Sequence, residues 1–506
     1  MAVDFLSYIV FAVTSVLVLV LMIESDRCWM VIRNIVARVL PLMKNHDMQM
    51  INEFRKESQI RNEREEERII YTSDPLSQEA CFPLGKITEN GRIRYVMTNE
   101  NIGSPHINIM GGTGSGKTSG CLIPAILLMK QIVGYAIDVS GDIIKNSVHS
   151  NVMVYDLVRK NLKWNIFGPI DEAESEDEKI ELLEDNVLTI FPNIEIEKQT
   201  QGASKFYGGL AQDIYHSALI SYYFDGLDFC EIIEKIITSG YVDLFTEIEN
   251  SGNQYAYSWI AKYKGSNETN LASGYGDCCR ALQQFITKTK INDKLIGRGE
   301  DSFDISIVNE KFLILYVPQV KMDDYCKLLT LFTSQLMRVI GHREIGQMPR
   351  QYIMLDEFET LLANSSNLIN LVNTGLKTYR KLNTRIILLT QTIPGLKSII
   401  GEDNVESIVS NSGVNIVIGA FDHASRKYWS DLIGTMPIQQ KDGTYKREPL
   451  VYESSFQNIR NKTAYIIWQG GYRLVSLTPY YEDPILQTIL AHRTLPKELD
   501  EYITKL

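Results

Sequence analysis

Gly111, Gly112, Thr113, Gly114, Ser115, Gly116, Lys117 and Thr118 form a run with G-x-x-x-x-G-K-T spacing. Glycines let the main chain curl until its N–H groups converge on one point, and a following helix adds its positive end. That geometry suits an anion. A lysine at Lys117 would neutralise β- and γ-phosphate oxygens, and a hydroxyl at Thr118 would hold Mg²⁺. The run therefore predicts a site for ATP with Mg²⁺ as cofactors, rather than a glycine-rich turn with no ligand. Its surroundings agree, with apolar INIM before it and CLIPAILLMK after it. Strand, loop and helix is the context the pattern requires.

Binding phosphate is not cleaving it. Hydrolysis also needs an acid on the metal side and a group that orients water. Tyr352–Leu355 is an apolar run that ends in Asp356 and Glu357. Asp356 would meet the Mg²⁺ shell and Glu357 would polarise the attacking water. Strands also end in solvated acid pairs, so this pair gains meaning only beside the phosphate loop. A further apolar run, TRIILLT, ends at Gln391. In a doubly wound sheet, ligands gather at the carboxyl ends of strands, which would bring Gln391 to the γ-phosphate. An ordinary loop glutamine is the other reading. Upstream, KTYRKLNTR gathers Lys377, Arg380, Lys381 and Arg385. This cluster reads as a surface patch, a DNA contact, or an arginine finger reaching a neighbouring subunit's nucleotide.

The elements that must carry these residues follow from pattern. Apolar runs at His106–Met110, Ile132–Ile137, Phe312–Val317, Tyr352–Leu355, Thr384–Thr390 and Val414–Ile418 alternate with helical stretches, as in α/β folds. Residues 172–297 differ. They open on an acidic run and continue with helix-period segments such as Leu210–Phe224 and Asp228–Thr238, which predicts an all-α insertion. The nucleotide-binding part then takes residues 83–171 and 298–506, preceded by a charged, helical linker over 46–82.

At the start, Phe5 to Ile23 holds no charge over 19 residues. As a helix it would span about 28 Å, close to the hydrocarbon thickness. No basic region precedes it and no small-residue cleavage site follows, so an anchor is expected rather than a cleaved signal. Arg27, Arg33, Arg38 and Lys44 lie after it, which orients the large part toward the cytoplasm. Trp29 to Met43 reads as an amphipathic helix along the membrane face, completing an anchor over 1–45. The formal charge of −11 excludes a uniformly basic nucleic-acid grip, so any DNA contact must come from a local lining. Seven cysteines without paired CxxC sets predict reduced structural thiols.

With these residues in view, the sequence resembles the VirD4/TraG/TrwB family of type IV secretion coupling proteins over about 83–485. GKITENGRIRYVM and HINIMGGTGSGKTSGCLIPAIL are similar to the family's opening strands and phosphate loop. AIDVSGDI is similar to its second strand, where Asp138 and Gly141 keep the pattern while Ser140 and Asp142 depart from it. DSFDISIVNEKFLILYVP resembles the return from an all-α insertion, IMLDEFETL the acid-bearing strand, and RKLNTRIILLTQTIPGLKSIIGE the stretch with its sensor glutamine. Arg380 lies eleven residues before Gln391, as the family's trans-acting arginine does. PYYEDPIL, residues 479–486, resembles the family's closing strand and exit.

The resemblance implies a RecA-like P-loop NTPase domain with an inserted all-α domain and an N-terminal transmembrane helix. It also implies a homo-hexamer at the bacterial cell membrane, single-pass, with the ATPase domain in the cytoplasm. Lys117, Glu357, Arg380 and Gln391 would be catalytic, and Thr118 and Asp356 would hold Mg²⁺. Its expected partners are single-stranded DNA with its relaxase, or effector proteins, and other secretion components. A motor serving only protein effectors and a non-hydrolytic receptor platform are the alternatives. Translocases of the FtsK type and the VirB4 ATPases are rival families.

Overall fold

The computed structural model describes residues 48–56, 69–77, 82–99, 106–129, 132–191, 203–285, 293–346, 350–362, 366–457, 459 and 462–506. The expected span at Phe5–Ile23 and the stretch Trp29–Met43 lie outside the described residues. Among the described residues, no helix is long and apolar enough to cross a membrane. The chain divides into two compact units. One takes residues 65–429 and 453–506, and the other takes its described residues from 1–64 and 430–452.

The larger unit is built on a twelve-stranded sheet. Its parallel part comprises β1 (Ile107–Met110), β2 (Val133–Asp138), β3 (Val152–Asp156), β4 (Phe312–Tyr316), β5 (Gln351–Leu355), β6 (Thr384–Thr390) and β7 (Val414–Val417). Their spatial order is β7-β1-β6-β5-β2-β4-β3. Antiparallel strands extend the sheet beyond β7 in the order Thr463–Trp468, Gly471–Ser476, Pro83–Glu89, Arg92–Thr98 and Ile69–Thr72. Every residue of β1, β5, β6 and β7 is buried. Unbroken burial is what parallel strands acquire when helices cover both faces, and it explains why these runs lack alternation.

Strand order decides where the chemistry lies. β6 runs between β1 and β5, with Leu355 opposite Leu388 and Met110 opposite Thr390. All three strands point the same way. The residues that follow them, Gly111, Asp356 and Gln391, therefore leave the sheet at one edge. A buried polar ladder holds this register. Thr390 donates to Asn108 Oδ1 at 3.1 Å, Asn108 donates to Asn415 Oδ1 at 3.0 Å, and Asn415 donates to Val409 O at 3.2 Å. A one-residue slip would strand these amides in an apolar core, at about 1–3 kcal/mol each.

Between β3 and β4, adjacent in the sheet, the described residues include the helices Glu176–Ile190, Ala203–Phe224, Phe229–Ser239, Tyr241–Asn250, Gln254–Ala261 and Glu268–Leu282, after the short helix Gly168–Asp171. Side chains of Ser175, Asp228, Asn253 and Asn267 cap four of them, and Asp228 forms a capping box with Glu231. Ala203–Phe224 is the central helix, packed on Glu268–Leu282 and Gln254–Ala261. This helical segment belongs to the same compact unit as the sheet.

Two expectations from the sequence change. Ile69–Thr72, read as the end of a charged linker, is an edge strand paired with Arg92–Thr98. The closing strand expected within PYYEDPIL is instead a short 3₁₀ turn and a helix, Pro484–Ala491. Pro484 sits at the helix start, where its missing N–H is harmless, and Asp483 caps it by accepting from Ile485 N at 3.0 Å.

The smaller unit pairs Thr435–Gln439 with Tyr445–Pro449 as a hairpin. Residues 48–56 are helical, and Glu53 reaches the Arg447 guanidinium at 3.4 Å.

Gly134 shows how closely β2 and β5 approach. Its φ is +123°, and a Cβ there would stand 2.1 Å from the Tyr352 carbonyl oxygen. Gly134→Ala should destabilise the protein by about 3 kcal/mol or more, read by urea denaturation. A variant as stable as the parent would contradict this packing.

Candidate functional site

β1 delivers the chain to Gly111, whose N–H donates to the Thr390 carbonyl of β6 at 3.2 Å. The loop then curls over. Gly114 and Gly116 hold φ of +74° and +91°, which side-chain-bearing residues rarely adopt. A helix begins at Thr118 and runs to Leu128, with a first turn of π type. Lys117 stands at its N-cap without a side-chain cap bond. The first-turn N–H groups thus keep their hydrogen-bonding capacity for an anion. Ser115 Oγ is buried and has no partner. The Lys117 ammonium donates to the Gly111 and Gly112 carbonyls at 2.6 and 3.3 Å, bent over the loop it would share with a phosphate.

Across the site, β5 ends at Leu355 and presents Asp356, only 8% exposed. The Thr118 hydroxyl meets Asp356 Oδ2 at 3.5 Å, although 238 positions separate the two. Glu357 follows with φ of +56°, a left-handed conformation that is strained for a glutamate. Its N–H donates to Asp356 Oδ1 at 3.1 Å. The strained turn sends the chain directly into the helix Phe358–Leu362.

The electrostatics are those of a buried acid cluster beside one cation. Burial pushes the Asp356 carboxyl up to about 6, and the Glu357 charge adds to the rise while Lys117 opposes it. Burial also pulls the Lys117 ammonium down, against the attraction of Asp356, Glu357 and Glu359. Thr118 and Asp356 together would offer a metal two oxygen atoms. Among the described residues no set of three or more His, Cys, Asp or Glu side chains gathers around a metal. Mg²⁺ commonly takes one or two protein oxygens and fills its shell with phosphate and water, so this pair fits it.

Gln391 leaves β6 at the same edge. Its backbone N–H donates to Glu359 Oε1 at 2.6 Å. Glu359 therefore ties the loop after β6 to the helix after β5, and burial holds its carboxyl above the ordinary range. Sequence reading passed over Glu359. Its only signal was a third acid in LDEFE, three positions beyond Asp356. Asp138 also has a settled place. Its carboxylate accepts from Gly141 N at 2.8 Å and Ile144 N at 2.9 Å, capping the short helix Asp142–Lys145.

Arg380 stands elsewhere. It precedes β6, so it lies at the sheet's amino edge, about 20 Å along the strand from Gln391. Nearby His106, at the start of β1, accepts from Ile386 N at 3.0 Å. Burial, then the cations Arg385 and Arg380, push that imidazole down to about 3. The cluster predicted from KTYRKLNTR is split. Lys377, Arg380 and Lys381 are exposed, while Arg385 is buried. Within one chain the structure unites Lys117, Thr118, Asp356, Glu357 and Gln391, and it leaves Arg380 at the far edge.

A phosphate loop, a facing aspartate and an intervening strand recur in many proteins, and comparison narrows the field. The family model for type IV secretory system conjugative DNA transfer matches residues 47–467. The chain belongs to that family. Protein VirD4 of Rhizobium rhizogenes is 21% identical over an aligned length of 398 residues, with coverage of 74% of this chain and 54% of that protein. Protein VirD4 of Agrobacterium fabrum gives the same identity and coverage. The chain thus spans about half the length of the curated relatives it matches. Among solved structures, the plasmid coupling protein TrwB in complex with a non-hydrolysable ATP analogue has a TM-score of 0.59 at 14% identity. That match covers 74% of this chain and 85% of TrwB. TrwB in complex with ADP and Mg²⁺ scores 0.57 at 16% identity with the same coverage. VirB4 of Thermoanaerobacter pseudethanolicus scores 0.50 at 14% identity, covering 80% of this chain and 98% of that one. At such identities the likeness shows the mixed α/β fold that this conjugative DNA transfer family member shares with TrwB.

The Asp356 carboxyl makes a signed prediction. The folded protein holds its proton more tightly than the ordinary value of 3.8, up to about 6. Stability therefore falls as pH rises from about 4 to about 6 and stays reduced above that. Asp356→Asn should stabilise the protein by about 3 kcal/mol at about pH 8 and by little at about pH 4, read by thermal unfolding. Equal effects at both pH values would contradict the burial argument.

Proposed function

We propose that this chain is an ATP-hydrolysing coupling protein that delivers substrates to a type IV secretion channel in conjugative DNA transfer. The observation that carries this reading is the convergence of Lys117, Thr118 and Asp356 at one sheet edge in a member of the conjugative DNA transfer family. ATP and Mg²⁺ are the proposed cofactors, supported by the donor set in the cradle and by the ligands of TrwB.

Each residue has a defined task. The curled Gly111–Gly116 backbone binds the phosphates and Lys117 neutralises charge on them. Thr118 and Asp356 hold the metal, which, when bound, draws charge from the β- and γ-phosphate oxygens. Glu357, aimed by its strained turn, orients and polarises water. Gln391 senses the γ-phosphate, and Glu359 keeps the Gln391 backbone in position.

The remaining readings rest on the sequence and the family. Phe5–Ile23 is proposed as a single transmembrane anchor, with the ATPase part on the cytoplasmic side of the bacterial membrane. A homo-hexameric ring is proposed because Arg380, remote from its own cradle, then reaches a neighbour's. Single-stranded DNA carrying its relaxase is the proposed cargo. The charge of −11 favours a second reading, protein effectors alone. A salt series of DNA binding separates the two, since phosphate contacts weaken steeply with added salt and their absence favours protein cargo.

Lys117→Ala should lower ATP turnover by about 100-fold or more, and Glu357→Gln should keep nucleotide binding while losing turnover to a similar extent. Coupled turnover and binding assays on the full chain read both. Unchanged turnover in Lys117→Ala would overturn the motor reading. Arg380→Ala and Lys117→Ala proteins, each inactive alone, should regain part of the activity when mixed, because one subunit supplies the arginine and the other the cradle. Failure of every mixing ratio would remove Arg380 from the neighbour's site.

A further inference from the structure

Asp356 and Gln391 leave the sheet after β5 and β6, so the terminal-phosphate end of the cradle faces those strands. A nucleotide anchored there by its phosphates has the opposite direction open to it. That direction runs along the carboxyl edge, over β7 and the antiparallel strands beyond it.

Two segments reach this part of the edge. β7 is parallel to β1, and the Ile418 N–H donates to the Met110 carbonyl at 2.8 Å, one residue before the loop begins. A Cβ on Gly111 would stand 3.2 Å from the Ile418 Cβ, so the segment after β7 lies against the loop itself. Gly471–Ser476 is antiparallel to Thr463–Trp468, which is antiparallel to β7, and it therefore ends at the same edge. It releases Leu477. A Cβ on Gly120, in the first turn of the helix after the loop, would stand 3.5 Å from the Leu477 Cβ. Buried Ile418 and Leu477 thus bracket the cradle on the side away from Gln391.

Three residues beyond Ile418 the chain carries Phe421. It is 78% exposed, more than any other phenylalanine, tyrosine or tryptophan among the described residues. A lone exposed apolar side chain is ordinary; its place and its support are not. Gly419 turns the chain at φ +89°, and the Ala420 N–H donates to the Phe456 carbonyl at 3.1 Å. The Arg426 guanidinium donates to the Phe421 carbonyl itself. Asp422 Oδ1 accepts from Ser425 N at 2.7 Å at the start of the helix His423–Ile433. The backbone on both sides is held while the ring stands in solvent beside the loop.

The neighbouring site says what would cover that ring. The cradle takes the charged end of a nucleotide and leaves over a flat, uncharged ring system with two faces. Ile418, Phe421 and Leu477 carry no side-chain donor or acceptor, so they can meet a face and cannot read an edge. We propose that Phe421 is the platform on which the nucleotide's base stacks, a role that rests on the ATP reading given above. Stacking tolerates every base, because each has a π-face. The platform therefore adds affinity for a nucleotide over bare phosphate without distinguishing adenine from guanine.

Titration calorimetry of the full-length protein in detergent tests this with ATP, GTP and inorganic tripolyphosphate, each with Mg²⁺. Phe421→Ala should weaken ATP and GTP about tenfold each and leave tripolyphosphate unchanged. Phe421→Trp should bind ATP as the parent does, and fluorescence of the introduced indole should be quenched by ATP and not by tripolyphosphate. Lys117→Ala should weaken all three ligands. Unaltered binding of all three there would end the cradle reading, whereas a loss there with none in Phe421→Ala would overturn the platform alone. Equal losses of ATP and tripolyphosphate in Phe421→Ala, or quenching by both ligands in Phe421→Trp, would also overturn it. A loss confined to one of the two nucleotides would overturn its indifference to the base.

Discussion

The Thr118 hydroxyl and the Asp356 carboxylate stand 3.5 Å apart in space and 238 positions apart in the chain. A phosphate cradle without that approach is an anion site, and an acid pair without it is a strand end. The approach exists because β6 separates β1 from β5 and all three run parallel. The sheet's order is therefore a functional fact. With β6 outside the pair, Gln391 would leave the sheet away from the cradle, and Glu359 could not hold its backbone.

The site is electrostatically expensive. Asp356 is buried beside Glu357 and close to Glu359, with Lys117 as the compensating cation. Glu357 adds a strained backbone. Such a cluster tends to protonate or come apart unless the scaffold over-determines it. Here the scaffold does so through fully buried strands and the Thr390–Asn108–Asn415 ladder directly beneath the loop. Metal and phosphate would relieve the strain, since a bound cation favours the ionised form of Asp356.

The two edges of the sheet divide the labour. The carboxyl edge gathers the phosphate loop, Asp356, Glu357 and Gln391, while the amino edge carries Arg380 with exposed Lys377 and Lys381. One chain cannot bring both edges to one site, because the seven residues of β6 lie between them. The proposed role of Arg380 therefore depends on a second copy of the chain. The helical segment adds a third region within the same compact unit.

Much of this was legible beforehand. GGTGSGKT declares its chemistry because few residue types permit that backbone path, and continuous apolar runs declare buried parallel strands. Asp356 and Glu357 were readable only because the loop upstream gave them a purpose. Glu359 was not readable, since nothing in LDEFE distinguishes an acid that accepts a distant N–H from one in solvent. The Asn108–Asn415 pair was equally hidden, as a polar residue in an apolar run looks like an interruption until strand order shows it facing another. PYYEDPIL, likened to the family's closing strand and exit, instead starts a helix at Pro484 under the Asp483 cap, which a resemblance in sequence does not reveal. Residue type and short spacing determined what chemistry each segment can perform. Strand order and burial decided which segments perform it together, because proximity between residues hundreds of positions apart is a property of packing and is not encoded in any local stretch.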